Sequence, residues 1–399
     1  MSITVSRALC RAVYRRPQPI ISTPSRFACI HQAGARNRDV SVRRARGGAR
    51  RPYSTESISA AELQFGQPLH ETHPHLLQAG ELTPSITAQE YHKRRTELAR
   101  SLPSDDAIAI LCAAPTKFKR GAAFYEYCQD PDFFWVTGKT DLEAHDGCVR
   151  VERTGPGGDH LFHLYVRPKD PQAELWDGAR SGVIAARDVF NADEADSVHE
   201  MHKSLPSIIA EASEIYIDKA TAGTPAGPVS QLDRLMSPRS TTRDAPITLL
   251  ENALVRPIRP LMDHLRMFKS EAEIALMRRA GQASGRAFTN AMRRQFMGEK
   301  ELAAYLDYQF KMEGCDGSAY VPVVAGGEHA LSIHYVRNDD VFSGIYVPDD
   351  ERWPKHFRGM GIRIEDSVCI QETSPLVLTT EAVKEVVDIE AVADTYQKE

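Results

Sequence analysis

The residues most able to do chemistry lie near the C-terminus, in "SIHYVRNDDVFSGIYVPDDERW" (Ser332 to Trp353) and "GIRIEDSVCI" (Gly361 to Ile370). In the second stretch, alternation places Ile362, Ile364 and Asp366 on one face of a strand, with Arg363 and Glu365 on the other. A carboxylate inside an apolar run is costly to bury unless it binds a cation or pairs with a base. Glu365 therefore reads either as a metal ligand or as the partner of Arg363 on an exposed sheet face. His334 alternates with Ile333 and Tyr335 and reads as a structural histidine or a site residue. His70, His73 and His75 in "HETHPH" hint at a metal site, but a proline within a loop gives none of the helical i, i+4 geometry that ligand pairs use. Asp349 and Asp350 read as a solvated acidic turn. Seven cysteines, with no C-x-x-C pair, suggest neither a zinc knuckle nor a disulfide framework, and Cys112 and Cys369 read as buried bystanders in apolar runs.

The elements that must position these groups follow from periodicity and punctuation. Residues 1–53 hold twelve Arg, no Lys and one acid, Asp39, as a mitochondrial transit peptide does, and Arg51-Pro52-Tyr53-Ser54 matches an Arg-x-Tyr-Ser cleavage pattern. Without that segment the formal net charge moves from −5 to about −16, which disfavours nucleic acid as a partner. No apolar run reaches the roughly 18 residues of a membrane-spanning helix. From 54 to 220 the pattern alternates strands and helices, giving an α/β domain. A capping box at Thr87-x-x-Glu90 opens a helix to about Leu102, strands are expected at Ala107–Ala114 and Phe133–Val136, and a Gly-rich turn at Gly155–Gly158 joins two more strands. A helix over Met201–Ala212 precedes a strand at Ile215. Residues 221–260, rich in Pro, Ser, Thr and Gly, read as a linker. Beyond it, Ser270-x-x-Glu273 caps a helix whose inner face holds Ile274, Met277, Gly281, Ser284, Phe288 and Met292, and a second helix runs from Glu299 to Glu313. Strands are expected at "AYVPVVAGG", "SIHYV", "GIYVP" and "IRIEDSVCI".

"LRMFKSEAEIALMRRA", "CDGSAYVPVVAGGEHALSIHYVRND" and "FRGMGIRIEDSV" together resemble the catalytic domain of aminopeptidase P, an Xaa-Pro aminopeptidase with the pita-bread fold. "YEYCQDPDFFWVTG" resembles the N-terminal domain of the same enzymes, and "GQPLHETHPHLLQAGELTP" with the Arg-rich segment is similar to their mitochondrial, intermediate cleaving branch. The resemblance implies an α/β N-terminal creatinase/aminopeptidase P-type domain followed by an α+β pita-bread domain over 261–399. It implies a manganese pair (Mn2+) held by two Asp, one His and two Glu around a bridging hydroxide, acting on the N-termini of peptides or proteins, with a homodimer as the candidate assembly. Glu365 matches the last Glu ligand, while His334 and Arg363 match the residues that orient substrate and stabilise the intermediate. The family has a long block between "HYVRND" and "GIYVP" that carries both Asp ligands, the His ligand and a Glu. In this sequence Phe342 runs directly into Ser343. The resemblance thus implies an incomplete catalytic domain, with four of five ligands absent and unpaired strand edges.

Overall fold

A computed structural model describes residues 2–3, 65–139, 147–218, 254–326, 329–330, 332–341 and 365–394. The N-terminal region is organised around a six-stranded mixed sheet. In chain order its strands are β1 (Ile108–Cys112), β2 (Cys148–Arg153), β3 (His160–Val166), β4 (Glu194–Ser197), β5 (Ile215–Ile217) and β6 (Val255–Pro257), and across the sheet they run β6-β5-β1-β2-β3-β4. The centre β1-β2-β3 is antiparallel and both flanks are parallel. Buried residues alternate to both faces. Ala109, Leu111, Val149, Val151, Phe162 and Leu164 join the core under helix α1 (Ala88–Ser101), whereas Ile108, Ile110, Tyr165, Met201 and Leu205 form the core under helix α3 (Met201–Glu211).

Most of the sequence pattern is realised here, including the Gly155–Gly158 turn between β2 and β3. One segment differs. The expected strand at Phe133–Val136 is helix α2, Pro131–Thr137. The β-forming side chains lose to local capping. Asp130 Oδ1 accepts from the Asp132 and Phe133 amides at 3.0 and 2.9 Å, Pro131 occupies the first turn, and Gly138 ends the helix at φ +71°. A side chain at Gly138 would also meet the Tyr91 ring. The expected linker ends earlier than its composition suggested. Val255–Pro257 adds a parallel strand to the N-terminal sheet, and Ile258 and Met262 enter its core; residues 219–253 lie outside the described residues.

The C-terminal region hangs on two antiparallel helices, α5 (Glu271–Met292) and α6 (Glu299–Met312), which follow the shorter α4 (Arg259–Met267). The Ser270–Glu273 capping box forms in both directions: the Ser270 hydroxyl accepts from the Glu273 amide at 3.2 Å, and the Glu273 carboxylate accepts from the Ser270 amide at 2.9 Å. Its partner at Thr87 forms only one way, because the Glu90 carboxylate is used elsewhere. Glu90 accepts from Arg94 at 2.6 Å and from the Ser270 hydroxyl at 2.7 Å, and Arg94 also pairs with Glu273 at 3.2 Å. The buried Arg94 thereby welds the first helix of the N-terminal domain to the first turn of α5.

Gly281, Ser284 and Phe288 are buried as expected, with Phe288 packed among Ala287, Ala291, Leu302, Leu306 and Phe310. The strand expectations fare less well. Among the described residues, only Val324–Ala325, Val368–Cys369 and Leu376–Val377 form strands in this half, each two residues long. Ser2–Ile3 pairs antiparallel with the first of them. "SIHYV" is a turn rather than a strand, and "GIYVP" lies outside the described residues. Ile333, Val341 and Ile370 are exposed at 60%, 62% and 88%, so this half leaves apolar surface uncovered.

Candidate functional site

The C-terminal half is assembled around Glu299, a residue the sequence reading passed over. It is the first residue of α6, where a carboxylate complements the helix dipole, but it is fully buried rather than solvated. The Glu299 Oε1 accepts from the Gly326 amide at 2.8 Å and faces His329 Nδ1 at 3.3 Å. Its Oε2 accepts from the Tyr335 hydroxyl at 2.7 Å and the Asp340 amide at 3.0 Å. Burial opposes the charge, yet the donors from Gly326, Tyr335, Asp340 and His329 outweigh it and hold the carboxyl below its usual range. Burial, with the bond to Glu299, pushes the Tyr335 phenol up to about 12. The His329 ring stacks on Tyr335 with centroids 4.4 Å apart.

This node folds the described residues between 322 and 341 around the start of α6. Asn338, at φ +51°, closes the loop by donating to the Pro322 carbonyl at 2.8 Å and accepting from the Val324 amide at 2.7 Å. Left-handed backbone is tolerated by Asn more readily than by most residues. His334 sits in the turn immediately before Tyr335, so the anchored tyrosine fixes its backbone while its side chain stays exposed.

Glu365 begins the next described segment and is half-buried. Its neighbour Asp366 is engaged by the Thr379 hydroxyl at 2.6 Å and by Lys384. Burial would raise the Asp366 carboxyl, but Lys384 and Thr379 bring it below its ordinary range. The segment docks on α5 where that helix is bare: a Cβ at Gly281 would lie 2.5 Å from the Leu378 carbonyl, and one at Gly285 would lie 2.9 Å from the Ala382 amide. Arg363, Asp349 and Asp350 lie outside the described residues. His70 is spent on the Leu77 carbonyl at 2.9 Å, and His73 bonds the Thr72 hydroxyl at 2.8 Å.

Two family profiles match the chain: the aminopeptidase P N-terminal domain over residues 91–216, and metallopeptidase family M24 over residues 275–344. Intermediate cleaving peptidase 55 of Saccharomyces cerevisiae is 40% identical over 70% of this chain and 54% of its own length. Its Schizosaccharomyces pombe counterpart is 35% identical over 76% of this chain and 63% of its own. The crystal structure of the S. cerevisiae protein superposes with a TM-score of 0.66 at 27% identity, covering 80% of this chain and 100% of that one. The chain carries an aminopeptidase P N-terminal domain and a metallopeptidase family M24 region, is similar to the intermediate cleaving peptidases across both, and shares the pita-bread architecture of their solved structure. It spans 54% and 63% of the length of these two curated relatives, under two thirds of each.

Family M24 implies a divalent metal. Such an ion needs several hard oxygen or imidazole donors converging on one point. Among the described residues, no group of three or more His, Cys, Asp or Glu has that arrangement. Glu299 and His329 share a node, but Glu299 is saturated by protein donors. The described donor set therefore does not fit a metal, and no chemical step is derived through one. Among the described residues, no helix is long and apolar enough to cross a membrane.

Proposed function

We propose that the protein belongs to a line of mitochondrial, manganese-dependent aminopeptidases that remove residues from the N-termini of peptides or imported proteins, and that this chain keeps the scaffold of that activity without its metal centre. The family profiles and the intermediate cleaving relatives support the substrate class, and the relative named as mitochondrial in Arabidopsis thaliana supports the location. The loss of hydrolysis rests on one observation. The sequence passes from Val341-Phe342 to Ser343 where the resemblance implies four ligands, leaving Glu365 as the single matching carboxylate. One carboxylate does not hold a pair of manganese ions. In this reading His334 and Arg363 would contact substrate in the complete enzyme, and residues 1–53 would be removed on import.

The test is hydrolysis of an Xaa-Pro peptide by purified residues 54–399 with added manganese. No release above the metal-only control is expected, while manganese-dependent release of the N-terminal residue would overturn the reading.

A second reading makes the chain a non-catalytic partner of a complete family enzyme. It is favoured by the contrast between the closed core of the N-terminal sheet and the exposed Ile333, Val341 and Ile370. Failure of the chain to co-purify with a complete enzyme from the same cells would rule it out.

A further inference from the structure

Cys112 and Cys148 read from sequence as unrelated thiols, 36 positions apart and outside any paired motif. The sheet sets them directly opposite each other, Cys112 ending β1 and Cys148 beginning β2. Their register position is decisive. The flanking bond runs from the Ala113 amide to the Gly147 carbonyl at 2.9 Å, outside the pair, so the two cysteines occupy a non-hydrogen-bonded site. At such sites the Cα atoms lie about 4.5 Å apart and the side chains approach most closely. That separation falls within the range of roughly 4.4–6.8 Å that a disulfide spans.

We propose that Cys112 and Cys148 form an oxidisable cross-strand dithiol, a modification site that takes a low-molecular-weight disulfide as its oxidant and staples β1 to β2. Neither thiol is committed to another disulfide. Their exposures differ in a useful way: Cys148 is buried beneath α3, whereas Cys112 is half-buried and reachable. The contact with Cys112 and burial both push the Cys148 thiol well above its usual range, which makes it a poor first nucleophile.

The order of events follows. Cys112 thiolate attacks one sulfur of oxidised glutathione, forming a mixed disulfide and expelling one glutathione thiolate. The Cys148 sulfur then attacks Cys112 Sγ as its proton passes to the departing glutathione sulfur, so the second glutathione leaves as the thiol. Two protein thiols are oxidised to one disulfide, and one oxidised glutathione is reduced to two glutathione molecules. The closed loop contains α2 and a fully exposed hairpin, Phe118–Arg120 with Ala123–Phe124, so oxidation would tether the base of that projection.

The experiment incubates the folded, full-length chain with mixtures of oxidised and reduced glutathione. Samples are then acid-quenched, alkylated in denaturant and digested with trypsin for mass spectrometry. The expected result is the loss of two alkylatable thiols per chain, recovered as one linked peptide pair containing Cys112 and Cys148. Reduction should reverse the link, Cys112→Ser should abolish it, and Cys128→Ser should leave it intact. The proposal is overturned if both thiols remain alkylatable in the most oxidising mixture. It is equally overturned if reaction stops at a glutathione adduct on Cys112, or if Cys128 is the partner that links.

Discussion

Removing the Glu299 carboxylate tests whether the C-terminal half is built on that node. In Glu299→Ala the Gly326 and Asp340 amides, the Tyr335 hydroxyl and the His329 ring lose their common acceptor. Each donor left unsatisfied in a buried place costs about 1–3 kcal/mol, partly offset where water enters the space vacated. A net loss of about 3 kcal/mol is expected for residues 322–341, equivalent to a roughly hundredfold rise in local opening. Hydrogen exchange at the Gly326 and Asp340 amides reads this directly. Both should exchange about a hundredfold faster than in the parent protein, while amides of β1 and β2 stay unchanged. The pH dependence has a fixed sign. The folded carboxyl titrates below the ordinary value of 4.5, so its contribution is present above that pH and is lost as pH falls through the folded value. Protection of these amides should therefore fade on acidification in the parent and stay flat in Glu299→Ala. If both amides in the variant exchange within about threefold of the parent, the node is not what holds the segment.

His163 offers a second pH test with its own window. Burial, reinforced by the Arg150 guanidinium, lowers its folded value from 6.5 to about 4 despite the opposing Asp196 carboxylate. The unfolded chain binds the extra proton, so stability of the N-terminal domain should fall by about 3 kcal/mol as pH drops from 6.5 to 4. Urea midpoints across that range should show it, and His163→Gln should flatten the curve. Gly281→Ala would drive a methyl group into the Leu378 carbonyl; about 1–3 kcal/mol of lost docking is expected, seen as faster proteolysis within residues 365–394. Arg94→Met leaves Glu90 and Glu273 facing each other without their shared cation and should cost about 3–5 kcal/mol in thermal or urea unfolding.

Much of this molecule is fixed by local sequence. The helix at Ala88–Ser101, the Ser270–Glu273 cap and the Gly155–Gly158 turn follow from capping and turn chemistry that act over a few residues. The alternating elements were enough to indicate an α/β domain, and of the predicted inner face of α5, Gly281, Ser284 and Phe288 are buried while Ile274, Met277 and Met292 are half-buried. Where signals competed, stronger local capping decided one case and a tertiary edge the other. Asp130, Pro131 and Gly138 made a helix of a segment whose aromatic side chains favour a strand, because three capping interactions outweighed propensity. Val255–Pro257 joined the N-terminal sheet despite its linker-like surroundings, since β5 offered a free parallel edge.

The site separates along the same line. The candidacy of Glu365, His334 and Arg363 rests on motif resemblance alone, as side-chain type and alternation could not distinguish a ligand from a surface pair. Glu299 was invisible because a Glu opening a helix is ordinary, and its burial depends on a loop arriving from residues 322–341. The opposition of Cys112 and Cys148 was equally hidden, because strand register belongs to the assembled sheet and not to either strand.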